Sequence, residues 1–110
     1  MAEIQNFFHI SELELHRKAG GSRYHEFLRV PTLSAGLYVL AAGSSDPQKP
    51  HGEDELYYVV RGQARMRIAE REQSVRAGSV IFVGARVDHR FFDISEELVV
   101  LVFFAPPETS

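Results

Sequence analysis

The chain contains no cysteine. That excludes disulfide staples, thiolate metal ligands and a cysteine nucleophile. It does not identify a compartment, and cytoplasm is the default expectation. There is no basic tract, and the formal net charge is −3, so nucleic acid is not an expected partner. No apolar run is long enough to span a bilayer, which takes about 20 residues as a helix; the longest here is Leu98 to Ala105. The opening segment, Met1 to Ile10, lacks a basic region and a long apolar core, so no secretory signal is expected in it. Also missing is any long helical pattern that could cross between parallel strands. What remains is 110 residues at 45% hydrophobic, enough for one domain with its own core, expected to span residues 1–110.

Turn punctuation is abundant. One helix signal stands near the start. Ser11-Glu12-Leu13-Glu14 reads as a capping box with Ile10 and Leu15 as its staple. His16, Arg17 and Lys18 suit the negative end, and Gly20-Gly21 stops the helix after about two turns. Short strand-like runs follow: Tyr24 to Val30, Gly36 to Gly43, Glu55 to Val60, Ala64 to Ile68, Gln73 to Arg76, Ser79 to Val83, His89 to Ile94 and Glu97 to Phe104. Turn residues recur between them, and Ser44 to Pro50 is a polar loop. This spacing points to an antiparallel sandwich or barrel. The tail from Pro106 to Ser110 is expected to fray.

The run Leu98 to Phe104 is apolar at successive positions rather than alternate ones. Such a strand needs cover on both faces. One cover is a barrel interior. The other is the N-terminal segment (Phe7, Phe8, Leu13, Leu15), a second subunit, or both in part. A homodimer is therefore expected.

Five histidines are present: His9, His16, His25, His51 and His89. His9 and His16 flank the helix and read as surface residues, and His25 reads as a strand-face residue. His51 and His89 each stand where a loop gives way to a strand. In an extended strand His51 and Glu55 would lie about 13 Å apart, too far for one ion. A bend at Gly52 would let them converge. Two imidazoles and a carboxylate from different strands would suit a divalent transition metal with open positions, zinc, iron, manganese or nickel. The alternative is a pair of loop histidines beside a solvated acidic turn.

His51, three residues, Glu55, six residues and Gly62 form one spaced motif. Gly78, five residues, Gly84-Ala85-Arg86, two residues, His89, three residues and Asp93 form another. Together they resemble the paired motifs of a small single-domain cupin, over about residues 35 to 104. The resemblance implies an all-β fold: an antiparallel double-stranded β-helix, or jelly-roll barrel, with a short N-terminal helix. Residues 1–34 would be the N-terminal helix and strand, and 105–110 a tail. It also implies one metal inside the barrel, held here by His51, Glu55 and His89. The family spans dioxygenases, isomerases and decarboxylases, so it names no reaction. A non-catalytic ligand-binding or scaffold protein is the other reading.

The departures are informative. Lys49 stands where the family has its first histidine, and a protonated lysine has no lone pair for a metal. Three readings stay open: a three-ligand site completed by water or Gln48, a cationic mouth for an anionic ligand, or a solvent-facing lysine paired with Glu53 or Asp54. The family's proline, glycine and asparagine are replaced by Gly84, Arg86 and Asp93. Motif spacing selects Glu55 as the ligand and leaves Glu53 and Asp54 as solvated turn acids. Strand parity puts Glu55, Tyr57 and Val59 on one face, and His89, Phe91 and Asp93 on one face. Tyr57 and Phe91 would line a pocket for a small organic molecule, with Arg86 at its mouth.

Overall fold

The structure, a computed structural model, describes residues 4–109. Readings that fall on Met1 to Glu3 and on Ser110 lie outside the described residues. The elements run α1 (Ile10–Gly20), β1 (Tyr24–Val30), β2 (Leu33–Leu40), β3 (Asp54–Ile68), β4 (Arg71–Arg76), β5 (Val80–Val83) and β6 (His89–Ala105). Every strand pairing is antiparallel. The order is β1-β2-β6-β3-β4, with β5 paired to the first half of β3. This is the expected all-β jelly roll with a short N-terminal helix. Among the described residues no helix is long and apolar enough to cross a membrane.

Two long strands replace four expected short ones. The break expected at Arg61-Gly62 does not end β3, which runs through it. Its pairing with β6 shifts register between Val59 and Arg65. Gly62 sits at φ 103, and a Cβ there would stand 2.2 Å from the Glu97 carbonyl oxygen. The glycine therefore permits a bulge and a close approach of two backbones instead of stopping a strand. β6 is likewise continuous. At Asp93 its backbone enters the left-handed region, φ 48, and the alternation slips by one. Asp93 is exposed and Ile94 takes the inward place, so Asp93 does not share the inward face of His89 and Phe91.

The interior is built from one face of each strand. Tyr57 and Val59, Met66, Val75, Phe91, and the run Leu98, Val100, Val102 and Phe104 point into it. On β5, Ile81 and Val83 are inward while Val80 and Phe82 are exposed. The other face of the Leu98–Phe104 run is covered by the N-terminal segment at Val99 and in part at Leu101. Leu13 packs with Leu37, Val39 and Val99, and Phe8 and Phe27 close over them. Phe7 and Leu15 take no part and are exposed.

The helix differs from its sequence reading at one end. It begins at Ile10 and not after Ser11, and His9 is the N-cap with no side-chain cap bond. The His9 carbonyl accepts the Leu13 N–H at 3.0 Å, so the first turn closes before the capping-box serine. The helix runs 11 residues, one turn beyond expectation. Its other end is as read. Gly21 at φ 75 returns its N–H to the Arg17 and Lys18 carbonyls.

Candidate metal centre

Three elements meet at the site. The loop after β2 delivers His51, the start of β3 carries Glu55, and the start of β6 carries His89. Residue parity on the two strands turns Glu55 and His89 inward, where both are buried. The chain bends at Gly52 and Glu53. Gly52 itself lies outside the left-handed region, and a Cβ there would meet nothing within 4 Å. The bend is real, but it does not demand glycine.

His51, Glu55 and His89 each offer a ligand atom, and these atoms lie within 4.8 Å of one another. His89 Nε2 is 3.1 Å from Glu55 Oε1, close enough for attraction but not in hydrogen-bond alignment. Both Glu55 oxygens and His89 Nε2 are thus buried without a hydrogen-bond partner. Leaving such groups unsatisfied costs about 1–3 kcal/mol each, more when charged. The other nitrogen of His89, Nδ1, lies 2.9 Å from the Val87 carbonyl and donates to it. Burial would depress the His89 pKa, but the Glu55 carboxylate and the Val87 carbonyl outweigh it and hold the pKa above its ordinary value.

A polar network seats the loop. Gln48 Oε1 accepts the Tyr57 hydroxyl at 3.0 Å and lies 3.3 Å from His51 Nε2. Burial, and then the Glu55 charge, push the Tyr57 pKa well above its ordinary value, so Tyr57 stays a neutral donor. Asp46, buried, accepts the Tyr38 hydroxyl at 2.7 Å, the Phe91 N–H at 3.0 Å, and both the backbone and side-chain N–H of Gln48. Phe91 is fully buried and meets Tyr57 edge-on at 5.1 Å. A cavity of about 170 Å³ adjoins the site, lined by Tyr24, Tyr38, Pro47, Gln48, His51, Val102, Phe104 and Glu108. Tyr57 and Phe91 lie behind this lining and not in it.

Several expectations change. Arg86 is exposed and its guanidinium does not line the cavity. Its backbone does the local work: Arg86 N–H donates to the His51 carbonyl at 2.6 Å, with Arg86 at φ 65. A left-handed position suits the glycine that the family carries there. Lys49 is exposed and, among the described residues, pairs with neither Glu53 nor Asp54. Glu53 is no solvated turn acid. It is buried and accepts the Thr109 hydroxyl at 2.9 Å. Asp54 is exposed and accepts the Ala85 N–H at 2.9 Å. His16 and His25 face each other at 5.9 Å away from the site, and among the described residues no second group of three or more such side chains converges.

Among the described residues the tail, 106–109, is docked and not frayed. Glu108 donates its N–H to Ser34 Oγ at 2.9 Å, and its carboxylate Oε2 lies 3.4 Å from His51 Nδ1. Burial raises the Glu108 pKa; His51 opposes this, and Glu55 and Glu53 add to it. Asp46, Tyr24, Tyr38 and Glu108 were not singled out by sequence. None stands in a spaced motif, and each reaches the site by tertiary packing.

A family model described as the cupin domain matches residues 36–104. The chain belongs to the cupin family. A curated relative, an uncharacterised protein of Streptomyces coelicolor, is 48% identical over 102 residues, covering 93% of this chain and 97% of its own. Among solved structures, KdgF from a Halomonas species superposes with TM-score 0.69 at 18% identity, covering 76% of each chain. The TT1209 protein of Thermus thermophilus gives TM-score 0.65 at 25% identity, covering 77% of this cupin and 85% of that chain. DMSP lyase DddQ from Ruegeria pomeroyi gives 0.68 at 17%, covering 76% and 47%.

The residues fit a cation. Two imidazole nitrogens and a carboxylate are the donor set of a divalent transition metal, and both Glu55 oxygens and His89 Nε2 are buried without a hydrogen-bond partner. Gln48 Oε1 adds a neutral oxygen beside His51.

Proposed function

We propose that this cupin binds a divalent transition metal through His51, Glu55 and His89, and acts on or binds a small organic molecule in the adjoining cavity. The observation that carries this reading is the convergence of three ligand atoms within 4.8 Å, with Glu55 and His89 buried and unsatisfied. A bound metal would supply Lewis acidity at a position left open by a three-residue ligand set. The chain's own part is to shape the pocket. Val102, Phe104 and Pro47 give it apolar walls, and Tyr24, Tyr38 and Glu108 give it polar ones. Tyr57 holds Gln48 in place from behind. Lys49, exposed, contributes no ligand.

The test is elemental analysis of protein purified without chelators, beside His51→Ala and His89→Ala. Stoichiometric zinc, iron, manganese or nickel, lost in both variants while the circular dichroism spectrum is kept, supports the reading. Protein that takes up no metal at neutral pH after reconstitution overturns it.

We also propose that the protein is a homodimer. The support is an apolar patch on the outer barrel face. Leu56 and Tyr58 of β3 pair with Phe82 and Val80 of β5, and all four are 41–64% exposed. Phe103 and Leu101 of β6 continue the patch as partners of Leu56 and Tyr58. Light scattering at micromolar concentration should give twice the chain mass, and Phe82→Asp should halve it. A monomeric wild-type protein removes the dimer.

A further inference from the structure

Two oxygen atoms compete for the single proton of a neutral His51 ring. On one side Gln48 Oε1 lies 3.3 Å from Nε2. On the other, Glu108 Oε2 lies 3.4 Å from Nδ1. The distances are nearly equal, but the Gln48 contact is aligned as a hydrogen bond while the Glu108 contact is an ion-pair approach, and the acceptors differ in charge. A carboxylate makes the stronger, charge-assisted bond, and the Gln48 oxygen already receives the Tyr57 hydroxyl. Gln48 cannot simply rotate to offer its amide N–H, because that group is committed to Asp46 Oδ2 at 2.9 Å. The charge on Glu108 thus favours Nδ1 as the place of the proton. His89 is backed in the same sense, with Nδ1 against the Val87 carbonyl and Nε2 facing Glu55.

Glu108 is held where it can do this. Its N–H is bound by Ser34, its carbonyl accepts Arg29 Nη2 at 2.6 Å, and the next residue, Thr109, is bound to the buried Glu53. These three tethers come from three parts of the chain: β1, β2 and the segment before β3. They fix the tail beside His51 independently of the Glu108 carboxylate.

We propose that Glu108 is a positioning residue of the metal centre: reaching in from the tail, its carboxylate keeps the His51 proton on Nδ1 and leaves the Nε2 lone pair for the cation. The proposal rests on the metal reading above, and its test separates the two. Outer carboxylates that orient a ligating histidine typically contribute 10–100-fold in metal affinity.

The first measurement is the tautomer of His51 by ¹⁵N NMR in metal-free protein, at a pH where the ring is neutral. The wild-type ring should carry its proton on Nδ1. In Glu108→Ala the population should move toward Nε2, and in Glu108→Gln, whose amide oxygen still accepts, it should return. The second measurement is metal affinity by chelator competition. Glu108→Ala should lose about 10–100-fold, and Glu108→Gln should recover most of it. Thr109→Val, which loosens the tail but keeps the carboxylate, should stay nearer wild type than Glu108→Ala. A wild-type ring protonated on Nε2, or a Glu108→Ala variant with unchanged tautomer, overturns the proposal. An unchanged affinity in Glu108→Ala overturns it as well. Wild-type protein that binds no metal would defeat the metal reading, while the tautomer measurement would still decide the role of Glu108.

Discussion

The apolar and polar parts of the barrel interior are built by opposite rules. Around Met66, Val75, Ile81 and Ile94 the lining is apolar, and side chains satisfy one another by packing. Around His51, Glu55 and His89 the lining is polar, and three buried atoms have no hydrogen-bond partner. The same strands, β3 and β6, serve both parts. The contrast separates residues that stabilise the fold from residues that could hold an ion. Packing defects in the first part should cost stability whatever is bound. Changes in the second should show themselves chiefly when metal is present.

Four experiments can break or sharpen this contrast. The largest effect is expected from Leu98→Ala together with Phe91→Ala, measured singly by urea unfolding. Each removes a fully buried side chain, and losses of about 2–5 kcal/mol are expected. Phe91 touches Tyr57 and should perturb the site as well; Leu98 should not. Next comes metal addition. Metal at a thousandfold excess over its Kd should stabilise the native protein by about 4 kcal/mol, read as a rise in Tm. His89→Ala should abolish that rise and Leu98→Ala should keep it. If both variants keep it, the polar part is not the binding site.

A smaller effect belongs to the outer cover. Leu13→Ala should cost about 2–3 kcal/mol, the lower part of the range for such truncations, because Leu13 caps Leu37, Val39 and Val99. Metal affinity should be unchanged. The smallest comes from the half-exposed pair of Glu14 and Arg61, joined at 2.9 Å. Arg61→Ala should cost no more than about 1 kcal/mol. The Arg61 guanidinium lowers the Glu14 pKa against an opposing effect of burial. A depressed folded-state pKa means that the pair stabilises above the ordinary glutamate range. The contribution fades as pH falls through the folded-state value. Unfolding curves at pH 7 and pH 3 should therefore differ less between Arg61→Ala and wild type at the lower pH.

Much of the fold could be read from periodicity. Short apolar or alternating runs between turn residues located the strands, and the doubly apolar run Leu98 to Phe104 announced cover on two faces. The strand breaks at Gly62 and near Asp93 were misread for one physical reason. A left-handed or glycine residue looks the same in sequence whether it ends a strand or bulges it, and only pairing with a partner strand decides. The trio His51, Glu55 and His89 was legible because the resemblance to the cupin motifs implies it, and strand parity agrees for Glu55 and His89. Glu53 was misjudged because its partner, Thr109, lies more than fifty positions later. Glu108 and Asp46 were invisible for the same reason. Their roles come from what they touch, and those contacts span long stretches of chain. Arg86 shows the converse: it stands where the family has a glycine, and its own backbone is left-handed, φ 65.

Asp46 has a consequence for how a ligand arrives. Its carboxylate accepts four N–H or O–H donors, from β2, from β6 and from Gln48 within its own loop. The loop that carries His51 is thereby bolted to two strands before any cation is present. Ordering entropy is spent during folding and not during capture, so the centre is preorganised. Capture then needs dehydration of the ion and displacement of protons, with no loop search before the ligands can close on it.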